Sequence, residues 1–116
     1  MKMIDTKYSS ERVFGLEWVY APLEILPSMT PWYVYVLQST VDGGWYTGMT
    51  INLKKRIFSH NSKKNFSTKS RAPWKLIYYE ASLNKRDAIA REKYLKSGMG
   101  KRYIKNRLKF FFSENF

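Results

Sequence analysis

The chain has 116 residues, 44% of them hydrophobic, with no cysteine and one histidine. That is enough for one small domain with a buried core and too little for two, and it excludes disulfides, thiolate nucleophiles, iron–sulfur clusters and nearly every zinc site. With 21 Lys+Arg against 9 Asp+Glu the formal net charge is +12, a surface that attracts polyanions, of which nucleic-acid phosphate is the commonest.

Residues 1–30 carry Lys2, Lys7 and Arg12 against Asp5, Glu11, Glu17 and Glu24, a sum of −1, so residues 31–116 hold +13. Val13, Phe14, Leu16, Trp18, Val19 and Tyr20 precede Pro22, Leu26 and Pro27, the pattern of a short, weak element and a Pro-punctuated linker. We read 1–30 as an appendage and 31–116 as the domain. No apolar run approaches the roughly 18–20 residues needed to cross a bilayer, and the N-terminus lacks a basic-then-apolar signal pattern. The expectation is a cytoplasmic protein without membrane spans, its oligomeric state open.

From Trp32 the patterning sharpens. Trp32–Leu37 and Trp45–Thr47 are aromatic and β-branched on either side of the turn signal Asp42-Gly43-Gly44, which predicts a β-hairpin. Tyr33, Tyr35 and Leu37 share one face of its first strand, and Trp32, Val34 and Val36 the other. Thr50 or Asn52 caps a helix over about Leu53–Asn61. Residues 63–72, basic and Ser-rich, form an exposed loop. A third strand runs Trp74–Glu80, Asn84 with Asp87 opens a second helix, Ser97-Gly98 stops it, and the spacing of Tyr103, Ile104, Leu108 and Phe111 predicts a short third helix. The order β-β-α-β-α-α gives an α+β fold, a small antiparallel three-stranded sheet flanked by helices.

Several residues have the chemistry of a site. On the second helix Ala88, Leu95 and Met99 lie at i−4, i+3 and i+7 from Glu92, placing a carboxylate in the middle of an apolar stripe. Such an acid needs a cation, a metal or a donor, and the competing reading is an edge position paired with Arg91 or Lys96. Arg56 and His60 project side by side one turn apart, a guanidinium and an imidazole able to grip a phosphodiester; the bland reading is an ordinary basic helix. Tyr35 and Tyr46 stand on paired strands, where a phenol either packs in the core or orients water and accepts a proton.

Taken in order, Tyr33-Val34-Tyr35, Tyr46-Thr47-Gly48, Arg56-x-x-x-His60 and Glu92 resemble the GIY-YIG endonuclease superfamily. The likeness runs from residue 31 to about 109. It is closest to small standalone bacterial members related to the nuclease domain of the excision-repair protein UvrC, with Pro73-Trp74-Lys75-Leu76, Tyr79-Glu80 and Arg91–Gly98 similar to that subgroup's phrases. Tyr33 stands where the first motif has Gly, and Thr47 replaces the Ile of the second. The resemblance implies that Tyr35 and Tyr46 are the motif tyrosines, Arg56 the essential arginine, His60 the histidine one turn later, and Glu92 the carboxylate that holds a divalent metal. Asn106 is a weak candidate for a late asparagine of some members.

The acids of 31–116 are Asp42, Glu80, Asp87, Glu92 and Glu114, too scattered for a two-metal centre. One Mg²⁺ or Mn²⁺ on Glu92 with retained waters suits them better. Arg56 then binds the scissile phosphate, Tyr35 or His60 accepts the proton of the attacking water, and Tyr46 positions that water or a phosphate oxygen. Lys63, Lys64, Lys69, Arg71 and Lys75 are expected to track phosphates beside the cleft. Two functions follow: a metal-dependent endonuclease acting on structured, damaged or single-stranded DNA, and a nonenzymatic DNA- or RNA-binding module that keeps the fold. A membrane-coating role lacks the continuous amphipathic helix it requires.

Overall fold

The hairpin forms as its residues dictate: β1 (Trp32–Ser39) pairs antiparallel with β2 (Trp45–Thr50) across a turn in which Gly43 takes φ 74°, the left-handed region that glycine enters without penalty. This is a computed structural model, and it describes residues 30–115. The appendage expected over 1–30 therefore lies, except for Thr30, outside the described residues.

β3 (Trp74–Ser82) pairs antiparallel with the other side of β1, giving a sheet of order β2-β1-β3. Being central, β1 is covered on both faces, and Val34, Tyr35, Val36 and Leu37 are all buried. α1 (Leu53–Asn61) lies over one face, where its Leu53 and Ile57 pack with Tyr35, Leu37, Ala72 and Trp74. α2 (Lys85–Lys96) and α3 (Gly98–Arg107) cover the other, where Ala88, Leu95 and Ile104 meet Val34. Each fully buried aliphatic side chain contributes about 1.5–3 kcal/mol by leaving water.

The helix ends follow their caps. Asn52, not Thr50, caps α1, its side chain accepting from Lys55 N at 3.0 Å, while Thr50 Oγ1 accepts from Asn52 N at 3.1 Å. Asn84 caps α2 by accepting from Arg86 N at 2.8 Å. Ser97 ends α2 and also begins α3, its hydroxyl accepting from Gly100 N at 3.1 Å.

Three details differ from the sequence reading. The last helix is two, because the chain leaves α3 at Leu108 (φ −107°, ψ 25°) before α4 (Lys109–Asn115). Met99 is 62% exposed and does not extend the apolar stripe of Ala88 and Leu95, since α2 has already ended at Ser97. The loop 63–72 is mostly exposed but contains a 3₁₀ turn, Lys69–Arg71, and turns Thr68 inward to near-complete burial.

Candidate active site

Strand register sets the first contact. Tyr35 on β1 stands opposite Gly48 on β2, and its ring lies across that glycine: a Cβ built on Gly48 would sit 2.6 Å from Tyr35 Oη and 2.8 Å from Cζ. The glycine is what lets the phenol lie over the edge strand. Tyr46 stands on the same face of β2, its ring 6.4 Å from that of Tyr35.

α1 brings the imidazole. His60 is fully buried at the end of α1, and its Nε2 lies 3.1 Å from Tyr35 Oη while its Nδ1 lies 2.9 Å from Thr68 Oγ1. Thr68 Oγ1 itself donates to Asn65 O at 3.4 Å. With that donation we assign the proton of the neutral ring to Nδ1, bonded to Thr68 Oγ1, and the lone pair to Nε2, facing the Tyr35 hydroxyl. The rings of Tyr46 and Trp74 close the box at 4.9 and 6.4 Å from the imidazole, and Trp74 Nε1 donates to Thr68 O at 3.0 Å, pinning the loop behind His60.

The proton affinities follow from this packing. Burial pushes the Tyr35 phenol up to about 12; Arg56 beside it pulls the other way, and Tyr46 and Glu92 push further up. Burial, helped by the Arg56 charge, holds His60 below its ordinary value. Tyr35 is therefore protonated and His60 neutral near pH 7.

Glu92 comes from α2, which covers the other face of the sheet and packs along β1 and the edge strand β2. Its rotation is fixed next door: Arg91 Nε bonds Glu80 Oε2 at 2.7 Å, and Glu80 Oε1 accepts from Tyr78 Oη at 2.9 Å. The Glu92 side chain keeps 21% exposure, and its Oε2 lies 3.1 Å from Lys96 Nζ, a side chain itself 57% exposed.

Tyr35, Tyr46 and His60 are in contact, Arg56 stands one turn before His60 on α1, and Glu92 stands on α2 across the sheet, and the five lie at two depths. Tyr46, Arg56 and Glu92 keep surface; Tyr35 and His60 have none. The expectation that the imidazole grips a phosphodiester beside Arg56 is not met, because a ring enclosed by Tyr35, Tyr46, Trp74 and Thr68 has no face to offer.

The basic rim divides. Lys63, Lys64 and Lys69 are exposed on the loop behind His60, Lys69 lying over the Phe66 ring. Arg71 lies over Trp74 and is held by Asp42 at 2.9 Å, so part of its charge is already answered. Lys75 is not beside the cleft. Its ammonium lies over Phe111 of α4, on the face covered by α2 and α3, because strand alternation turns it away from Trp74 and Leu76. Asn106 is exposed on α3, two positions on from buried Ile104 and so on the opposite side of that helix.

Thr68 is the residue in contact with His60 that the sequence reading did not single out. Nothing marks one threonine in a Ser-rich loop until the fold sets it against Nδ1. Among the described residues no group of three or more His, Cys, Asp or Glu is gathered as a metal cluster, and no helix is long and apolar enough to cross a membrane.

Comparison with known proteins adds the following. A family model, the GIY-YIG catalytic domain, matches residues 31–107. A UPF0213 protein of Clostridium perfringens is 48% identical over 65 residues, covering 55% of this chain and 69% of its own. Another, encoded in the ldhD 5' region of Pediococcus acidilactici, is 40% identical over 86 residues, 69% of this chain and 87% of its own. A solution NMR structure of a UPF0213 protein from Bacillus halodurans is 35% identical, covers 64% of this chain and 81% of that one, and superimposes with a TM-score of 0.42.

Proposed function

This chain belongs to the GIY-YIG family, and on that premise we propose that it is a metal-dependent endonuclease hydrolysing phosphodiester bonds in DNA, with structured, damaged or single-stranded DNA as its substrate. One observation carries the reading. The phenols of Tyr35 and Tyr46 stand side by side with ring centroids 6.4 Å apart, and the His60 imidazole lies 3.1 Å from Tyr35 Oη at the end of the helix that also carries Arg56.

Glu92 fits one hard divalent ion. It is a part-exposed oxygen donor, engaged at one oxygen by a lysine whose solvated tail can swing away; Mg²⁺ or Mn²⁺ would take a single carboxylate and keep several waters. When bound, the ion neutralises charge on the leaving oxygen.

The chain's own residues do the rest. Arg56 binds the scissile phosphate and stabilises the charge that builds on it, and Tyr46, which has surface, orients the attacking water. A phosphate that draws the Arg56 guanidinium to itself uncovers the oxygen of Tyr35. That oxygen takes a proton from the water as its own passes to His60 Nε2, which is neutral and already accepts it at 3.1 Å. Thr68 holds the opposite nitrogen and fixes the tautomer. His60 is thus a positioning and proton-storing residue that acts through Tyr35.

The test is a panel of labelled single-stranded, duplex, branched and RNA substrates with Mg²⁺, Mn²⁺ or chelator. Metal-dependent cleavage of DNA that disappears in Arg56→Ala is expected. Salt-sensitive binding with no cleavage of any substrate would replace the nuclease by a nonenzymatic binder.

A further inference from the structure

On the face of the sheet opposite Tyr35, at the turn end of the hairpin, lies a pocket of about 570 Å³. One wall is aromatic: Trp45 and Phe112 stack at 5.9 Å with their planes 7° apart. Another is cationic, formed by Lys101 and Lys105, which lie one turn apart on α3 with Cβ atoms about 5–6 Å from each other. Both lysines are exposed, and neither has an acidic partner among the described residues. At the base, the Gln38 amide donates to Gly43 O at 3.1 Å, while its carbonyl oxygen is buried with no hydrogen-bond partner.

The place of this pocket gives it meaning. Trp45 and Tyr46 are neighbours on β2 and so point to opposite faces of the sheet, and β2 is an edge strand with nothing beyond it among the described residues. The active site and the pocket therefore flank one strand edge, and α2 carries Glu92 along that edge.

Building on the nuclease reading above, we infer that this pocket is a second nucleic-acid subsite, which holds the DNA strand flanking the scissile phosphate after it crosses the β2 edge. Lys101 and Lys105 contact successive phosphates of that strand. The Trp45–Phe112 wall takes a base or sugar by stacking, a contact every base can make. The lysines position the strand, and the aromatic wall keeps it from sliding.

The experiment measures anisotropy of labelled single-stranded and duplex DNA across a salt series, for the wild type, Lys101→Gln/Lys105→Gln, and a charge-matched control at the start of α2, Lys85→Gln/Arg86→Gln. Loss of two phosphate contacts makes the slope of log affinity against log salt shallower by about 1.8 on duplex and about 1.4 on single strands. The expected result is that change in the Lys101/Lys105 variant and a much smaller one in the control. A second readout is tryptophan quenching on DNA binding, expected in the wild type and reduced in Trp45→Phe. If the wild type binds and cuts DNA while the two double variants have equal slopes and Trp45→Phe quenches fully, the subsite is wrong and the nuclease stands. If the wild type neither binds nor cuts any DNA, both fail together.

Discussion

Gly48→Ala tests the geometry of the buried pair most sharply. The new methyl would lie 2.6 Å from Tyr35 Oη, 2.8 Å from Cζ and 3.1 Å from Tyr46 Cε2. Comfortable separation is about 3.5 Å, so the phenol must retreat by roughly 0.9 Å, and the strand cannot give way because Gly48 is paired with Tyr35 in register. A movement of that size disrupts the 3.1 Å bond to His60. Overpacking of this kind costs about 1–3 kcal/mol, and misplacing a reacting group by about 1 Å lowers turnover on the order of 100-fold. Thermal melting followed by circular dichroism reads the first effect and cleavage of a labelled oligonucleotide the second. The pair is then repeated in a Tyr35→Phe background. Without the hydroxyl the closest contact is gone, so Gly48→Ala should cost less stability there, a coupling that a double-mutant cycle isolates. Equal melting temperature and equal turnover in Gly48→Ala would refute the argument.

Other perturbations address other parts of the site. Thr68→Val keeps the volume but leaves the buried His60 Nδ1–H without a partner, which costs about 1–3 kcal/mol and should lower kcat with KM unchanged; normal kcat would remove Thr68 from the account. Turnover requires neutral His60, whose pKa is depressed, so the acid limb of the pH–rate profile should fall below pH 6.5, and a limb above 6.5 would contradict it. In the window between that depressed value and 6.5 the unfolded chain binds more protons, so stability in urea melts should decline as pH drops through it; a flat profile there would count against burial of the imidazole. Asp42→Asn keeps an acceptor for Gly44 N yet releases Arg71, so DNA affinity should rise at low salt with little change in melting temperature, as expected for an exposed pair. Unchanged affinity would take Arg71 out of the phosphate path.

Local features were legible in the sequence. The aromatic strands, the Asp42-Gly43-Gly44 turn and the asparagine caps each depend on a few neighbouring residues, and each stands where the pattern put it. The two faces of β1 followed from alternation alone. What the sequence could not convey was depth. Arg56 and His60 share a helix side, but only the packing of the 63–72 loop and Trp74 decides that the imidazole is enclosed while the guanidinium keeps surface. Glu92 was recognisable as a carboxylate in an apolar stripe, yet its place depends on α2 packing along β1 and the edge strand β2. Lys75 was grouped with the loop by charge, whereas strand alternation sends it to the other face. Thr68 had no signal, because its role comes from a contact across the fold.

The most direct test of the central claim, that Glu92 serves the chemistry of a phosphate held by its neighbours, is Glu92→Gln measured in two ways on one labelled DNA. With Mg²⁺ or Mn²⁺ present, strand scission should vanish, while the dissociation constant stays the same or tightens because a negative charge has left the cleft. Retained scission, or a large loss of binding, would contradict the account.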